Sequence, residues 1–159
     1  MNISAIGQDS HRFEKDESGK VLVLGGIELP NERALDGNSD ADVILHAITN
    51  AVSGISGINI LGKISDDMCL KNGIKDSKAY IKVALDELKE YKPVHISISV
   101  ECLKPKLSPH INSIKKSISE LLDLDISHVG LTATTGEGLT GFGKGEGIQA
   151  IAILTVGAI

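Results

Sequence analysis

Asp9 and His11 stand two residues apart in the stretch "QDSHRF". In an extended chain, positions i and i+2 point the same way, so both side chains can reach one metal ion. Taken alone, such a pair is an ordinary feature of a solvated loop. A second group lies in "GNSDADVILHAITNA", residues 37–51. There Asp42, His46 and Asn50 recur at i, i+4 and i+8 along one side of a helical pattern, while apolar residues take most of the rest. By itself this helix has a bland reading: Ser39 and Asp42 form a capping box, and His46 packs as an amphipathic core residue. Asp9, His11 and His46 together change the weighing. One carboxylate and two imidazoles are a three-ligand N/O set of the kind that holds Zn²⁺ and leaves a fourth position open, which catalysis needs and structural zinc does not.

Two further stretches could meet a phosphorylated ligand. "TATTGEGLTGFGKGEG", residues 132–147, follows a strand pattern and is crowded with glycine. Glycines let backbone amides approach an oxyanion closely. Thr134 and Thr135 add hydroxyls, and Glu137 adds a carboxylate able to hold Mg²⁺ against phosphate oxygens. The stretch is neither a P-loop nor a dinucleotide fingerprint, and a long hairpin is its structural alternative. "CLKPKLSPH", residues 102–110, is a proline-bracketed loop whose backbone donors and acceptors could read a base edge, or simply join a strand to a helix.

These residues need a frame. Residues 2–7 read as a strand, with Asp9 and His11 just beyond it. Residues 20–24 and 26–29 read as short strands around Gly25-Gly26. Helical spacing covers 40–54, through Val43, Ile44, Ala47, Ile48, Ala51 and Val52. A second helix runs from Ser77 to Tyr91, with Ile81, Ala84, Leu85 and Leu88 on one face. Residues 94–101 alternate with period two, as in a half-buried strand. Ser108 as N-cap and Pro109 at the first helical position open a third helix, with Ile111, Ile114, Ile118 and Leu121 as its stripe. "VGLTATT" and "GIQAIAILTV" are the last strands. The final one is apolar on both faces, so a helix layer should cover one side and a partner subunit can cover the other. The order predicts an α+β fold, a mixed β-sheet with helices mostly on one face, in a single domain over residues 1–159.

Composition narrows the function classes. The 159 residues carry a formal net charge of −5, which argues against nucleic-acid binding. It leaves room for a nucleotide ligand, since metal ions and backbone amides can supply positive charge. Aromatics are 3 % and Trp is absent, so the core must come from Ile, Leu, Val and Ala. Cys69 and Cys102 form no metal or disulfide pattern and read as reduced thiols. No apolar run approaches a membrane span, and "MNISAIGQDSHRF" has no signal character, so a cytoplasmic protein without membrane contact is expected.

Taken in order, "IGQDSHRF", "LGGIELP", "NSDADVILHAITNA", "KPKLSPHI", "TATTGEG" and "GKGEGI" make the chain resemble the 2-C-methyl-D-erythritol 2,4-cyclodiphosphate synthase family over nearly its whole length. The resemblance implies a lyase of non-mevalonate isoprenoid synthesis. In that family the 2-phosphate of 4-diphosphocytidyl-2-C-methyl-D-erythritol 2-phosphate attacks the β-phosphorus, and CMP leaves. It implies Asp9, His11 and His46 as ligands of Zn²⁺ or another divalent cation, and Glu137 as the residue holding Mg²⁺ or Mn²⁺. Thr135 and Ser39 become phosphate contacts with catalytic roles, with Thr134 and Asn38 beside the substrate. Cys102, Leu103, Lys104, Pro105, Lys106 and Leu107 become the cytosine pocket. Asp67, with Asp66 as its rival, would meet the erythritol hydroxyls. Asp42 would orient the zinc site from outside or cap the helix. The family is a homotrimer with active sites between subunits. Lys144 and Glu146 match positions near a central cavity that can hold an isoprenoid diphosphate.

The sequence departs from the family at four places. Asn38 stands where a histidine is common, Ile60 where a ribose-binding aspartate is usual, Gly136 where a third threonine is usual, and the loop phenylalanine is displaced to Phe142. A non-catalytic trimeric sensor of a nucleotide or isoprenoid diphosphate is the alternative that Asn38 and Ile60 suggest.

Overall fold

The computed structural model describes residues 1–159. Strand β1 spans Asn2–Arg12, well beyond the apolar stretch that predicted it. Its polar end stays extended because every residue from Asn2 to Arg12 pairs with β6, Gly147–Ala158. Asp9 and His11 therefore lie within the strand rather than in a loop after it. The period of two that turns Ile3, Ala5 and Gly7 inward turns Asp9 and His11 inward too.

The main sheet has the order β1-β6-β4-β5, where β4 is Tyr91–Glu101 and β5 is Val129–Thr134. The β1/β6 and β6/β4 pairs are antiparallel and β4/β5 is parallel, so the sheet is mixed. Strands β2 (Leu22–Leu24) and β3 (Ile27–Leu29) form a separate hairpin. Its turn, Gly25-Gly26, has φ of 61° and 82°, the positive values that a two-residue hairpin turn of type I′ requires.

Helix α1, Val43–Ser56, lies across β1 and β6. Its contact with β1 is close because Gly7 has no side chain. A Cβ there would stand 2.0 Å from the Ala47 carbonyl oxygen and 2.4 Å from the Ala51 nitrogen. The helix is capped by Asp42 and not by Ser39, correcting the capping-box reading. One Asp42 oxygen accepts from the Leu45 N–H at 3.0 Å and the Gly25 N–H at 2.9 Å, and the other accepts from Gly26 at 2.7 Å. Asp42 thus joins the helix start to the hairpin turn. Ser39 caps no helical N–H: its hydroxyl accepts from the Ala41 N–H, two residues on, and lies 3.5 Å from His46 Nε2.

Helix α2, Lys63–Asp66, continues into a π-helical turn over Asp67–Lys71. Helix α3 is Ser77–Asp86, shorter than the spacing predicts, because Tyr91 is already the first residue of β4. Helix α4, Ile111–Leu122, buries Ile114, Ile118 and Leu122. Ser108 does not cap it. Residues Ser108–His110 form a 3₁₀ turn that precedes the helix, with Pro109 inside that turn.

The buried faces of β4 and β6, Ile96, Ile98, Val100, Ile148, Ala150, Ala152, Leu154 and Val156, join one core of 34 residues. The opposite sheet face carries Ile6, 65 % exposed, directly across from Ile153, 47 % exposed. The chain itself covers only one side of β6.

Candidate active site

Strand β1 and helix α1 bring Asp9, His11 and His46 together, as the spacing predicts. Asp9 Oδ2 lies 3.0 Å from His11 Nε2 and 3.1 Å from His46 Nδ1, and the two ring nitrogens are 3.4 Å apart. Burial alone would raise the Asp9 carboxyl, but hydrogen bonds and charge from His11 and His46 hold it below its ordinary value. The Asp9 hydrogen bond raises His11 above its ordinary value, against the opposing effect of burial.

The outer partners decide what the two rings offer. His11 Nδ1–H donates to the Asp36 carbonyl at 2.9 Å, since a carbonyl can only accept. In the neutral ring His11 Nε2 is then left with its lone pair. Ser77 donates its hydroxyl proton to Asp40, so its oxygen accepts from His46 Nε2–H at 2.8 Å. His46 Nδ1 is left with its lone pair too. Asp40 Oδ2 also accepts from the Ser77 N–H at 3.0 Å, which fixes that relay. Three lone pairs therefore converge, all within 4.8 Å of one another. This donor set, with each imidazole held from behind, fits a divalent cation.

A cavity of about 330 Å³ opens beside the triad, lined also by Gly37, Asn38, Ser39, Leu61, Gly62, Ser65, Asp66, Cys69 and Tyr80. Asn38 and Ser39 are thus placed where a bound phosphate could meet them. Asp66 is on this wall. The Asp67 carboxylate is not; it pairs with Lys63 at 2.8 Å and Lys71 at 3.2 Å along the helix surface. Ile60 is buried in the core and lines no part of the cavity. Asn50 donates to the Gln8 carbonyl at 3.1 Å and ties helix to strand.

The second group starts at the β5 edge of the sheet, and the end of its glycine-rich loop, Gly141, Phe142 and Glu146, returns to line a cavity with His11. After β5, Thr134 and Thr135 hydroxyls accept from the N–H groups of Gly136 and Glu137, shaping an exposed turn. Glu137 has φ +54°, an uncommon conformation for a residue with a side chain. Gly136, at φ +77°, is required here: a Cβ would stand 2.9 Å from Glu101 Cδ. The Glu101 carboxylate in turn accepts from the Thr140 hydroxyl at 2.6 Å. The loop 102–107 is fastened to the same structure by Cys102 N–H to Thr134 O (3.1 Å) and Leu103 N–H to Phe142 O (3.0 Å). The N–H groups of Lys104 and Lys106 bond to nothing in the chain and remain free to meet a ligand. Cys102 is buried, and burial beside Glu101 pushes its thiol up to about 11, so it is an unreactive wall residue. Lys144 and Glu146 are exposed near the end of this loop.

The structure does not bring the triad together with Glu137 or residues 102–107 within one chain. The cavity beside the triad includes none of residues 102–107, Thr134, Thr135, Glu137 or Lys144. Strands β1 and β5 are separated by β6 and β4, about 14 Å by ordinary strand spacing.

Residues 3–157 match the profile of the YgbB family. A curated relative from Chlamydia trachomatis serovar L2b (strain UCH-1/proctitis) is 43 % identical over 152 residues, 95 % of this chain and 85 % of its own. It is named 2-C-methyl-D-erythritol 2,4-cyclodiphosphate synthase. A solved 2C-methyl-D-erythritol-2,4-cyclodiphosphate synthase in a CDP-bound form superposes with a TM-score of 0.85 at 29 % identity, over 98 % of this chain and 100 % of that one. The bifunctional IspDF of Campylobacter jejuni superposes at 0.89 with 27 % identity, covering 100 % of this chain but 43 % of that one, so the chain spans less than half that protein's length. By its family profile, its fold and the identity of its curated relatives, the chain belongs to the YgbB family.

Proposed function

We propose that this chain is a cyclodiphosphate synthase, acting on 4-diphosphocytidyl-2-C-methyl-D-erythritol 2-phosphate to give 2-C-methyl-D-erythritol 2,4-cyclodiphosphate and CMP. A 2-phosphate oxygen forms a bond to the β-phosphorus, the bond from that phosphorus to the bridging oxygen breaks, and the oxygen leaves with CMP. The observation that carries the reading is the triad, with both imidazoles held by Asp36 and Ser77 so that their lone pairs meet at Asp9. Asp9, His11 and His46 would hold Zn²⁺ and Glu137 would hold Mg²⁺ or Mn²⁺; such cations neutralise phosphate charge as Lewis acids.

The chain's own groups then do the positioning. Ser39 and Asn38 line the cavity beside the triad and suit phosphate contacts. Asp66 replaces Asp67 as the carboxylate for the erythritol hydroxyls, because Asp67 is engaged by two lysines outside the cavity. Thr134, Thr135 and the free backbone donors of 104 and 106 suit the cytidine diphosphate end, with Lys106 beside the base. The separation of the two groups supports a homotrimer in which the triad of one chain faces the Glu137 loop of its neighbour. The unpartnered Ile6–Ile153 face supports the same assembly. Lys144 and Glu146 would then lie near the axis, where an isoprenoid diphosphate could bind. No helix is long and apolar enough to cross a membrane, and we place the enzyme in the cytoplasm. Incubating the zinc-loaded protein with substrate and Mg²⁺ should release CMP and the cyclic diphosphate in equal amounts. Binding of CDP without CMP release would instead favour a sensor.

A further inference from the structure

The triad is oriented from behind, and one of its supports is itself held. His11 Nδ1–H donates to the carbonyl of Asp36. The carbonyls on either side of that residue, Leu35 O and Gly37 O, both accept from one ammonium, Lys20 Nζ, at 3.0 Å and 3.1 Å. Lys20 comes from the start of the hairpin, 15 residues from Leu35 and 17 from Gly37. We propose that Lys20 is a positioning residue of the metal site, a clamp on residues 35–37 that aims the Asp36 carbonyl at His11 and so turns His11 Nε2 toward Asp9 and His46.

The segment needs such a clamp. Asp36 is anchored on its other side only by its N–H to Arg12 O at 2.8 Å. Asp36, Gly37 and Asn38 are exposed, so little packing holds them. Gly37 also approaches the His11 ring, where a Cβ would come within 3.4 Å of Cε1. A displaced peptide at 36 or 37 would therefore turn the imidazole directly. The same segment continues into Asn38 and Ser39 on the cavity wall, so the clamp sets the wall and the ligand together. A guanidinium could straddle the same two carbonyls; a thioether could not.

Charge and geometry predict opposite signs, which makes the inference testable. Lys20 is a cation felt at His11, where it opposes a second positive charge. If Lys20 acted only through its field, removing it would tighten binding of a divalent cation. If it acts as a clamp, removing it weakens binding. The inference rests on the triad holding a cation, and the test separates the two. Zn²⁺ affinity is measured by competition with a chromophoric chelator for the wild type, Lys20→Met, Lys20→Arg and Lys75→Met. Lys75 lines the groove that Lys20 enters but makes no side-chain bond, so its variant removes an ammonium from the same groove without removing a bond. A wild type that binds no Zn²⁺ overturns the metal reading itself. Given wild-type binding, the clamp predicts that Lys20→Met weakens affinity by about 10-fold, the low end for an outer partner. Lys20→Arg should restore it, and Lys75→Met should not weaken it. Should Lys20→Met fail to fold, Lys20→Gln, which is uncharged and keeps a donor for one carbonyl, decides: weaker binding supports the clamp. Unchanged or tighter binding in Lys20→Met, or in Lys20→Gln where Lys20→Met does not fold, overturns it.

Discussion

His46 is one of the most constrained side chains in the molecule. Nδ1 meets Asp9 and Nε2 meets Ser77, whose own proton goes to Asp40. The Asp-x-His pair and the histidine of "VILHAI" were legible because a strand and a helix each have a fixed period. Their outer partners were not. Asp36 contributes a backbone carbonyl, which leaves no trace in residue type, and Ser77 lies 31 residues from His46. The choice between Asp66 and Asp67 was ambiguous for a related reason. Asp66 and Asp67 are adjacent, and only the helical rotation between them decides which faces the cavity. Removing a ligand should cost more than removing its support. His46→Ala is expected to lose bound zinc and activity together, and full zinc content measured by atomic absorption would contradict the ligand set. Ser77→Ala should keep the ligands and weaken zinc affinity about 10–100-fold, read by the same chelator competition.

At the scale of elements, the site depends on how closely α1 lies on β1. The seam of Gly7, Ala47 and Ala51 lets the helix descend until His46 reaches Asp9. Gly7→Ala is expected to cost about 3 kcal/mol or more by overpacking. Zinc affinity should fall with stability, because a raised helix lifts His46 away. A variant with unchanged urea midpoint would contradict this account of the seam. Asp42 fixes the helix start. Replacing it with Ala strands three N–H donors, and the expected loss is about 2–4 kcal/mol. Burial, with the Asp40 charge nearby, pushes the Asp42 carboxyl up to about 7 against the pull of those donors. Its folded value is above its unfolded one, so its contribution is full below the unfolded pKa and is lost as pH rises through about 7. Urea midpoints of the wild type should therefore fall between pH 5 and pH 8, and Asp42→Asn should fall less over the same range. The sequence read Ser39 as the cap of a capping box with Asp42 as its partner three residues on, since both are good capping types. The structure separates them because the chain turns through a positive φ at Ala41 before the helix begins. Ser108 was misleading in the same way: proline and serine mark a helical start, but the first turn is 3₁₀. The end of β1 was missed because "QDSHR" is polar, and only pairing with β6 keeps it extended.

Across the whole molecule, the sheet keeps the triad apart from Glu137 and from residues 102–107, although Gly141, Phe142 and Glu146 return beside His11. The expectation that both faces of β6 are covered marked this early, since the helices supply only one cover and Ile6 and Ile153 remain exposed on the other. If the proposed homotrimer packs on this face, Ile153→Asp should dissociate it, seen as a monomer by light scattering, and activity should fall with it. A sequence read as one chain could place the triad and the Glu137 loop in one site by type. It could not show that the sheet holds them apart. The central claim, one reaction shared between the triad of one chain and the Glu137 loop of another, is tested most directly by complementation. His46→Ala and Glu137→Ala, each inactive alone, are mixed in equal amounts, unfolded together and refolded, and CMP release is measured. In a cyclic homotrimer with random exchange, about a quarter of the interfaces pair two intact halves, so about that fraction of wild-type activity should return. If the mixed trimers form and no activity returns, the site lies within one chain and the account is wrong.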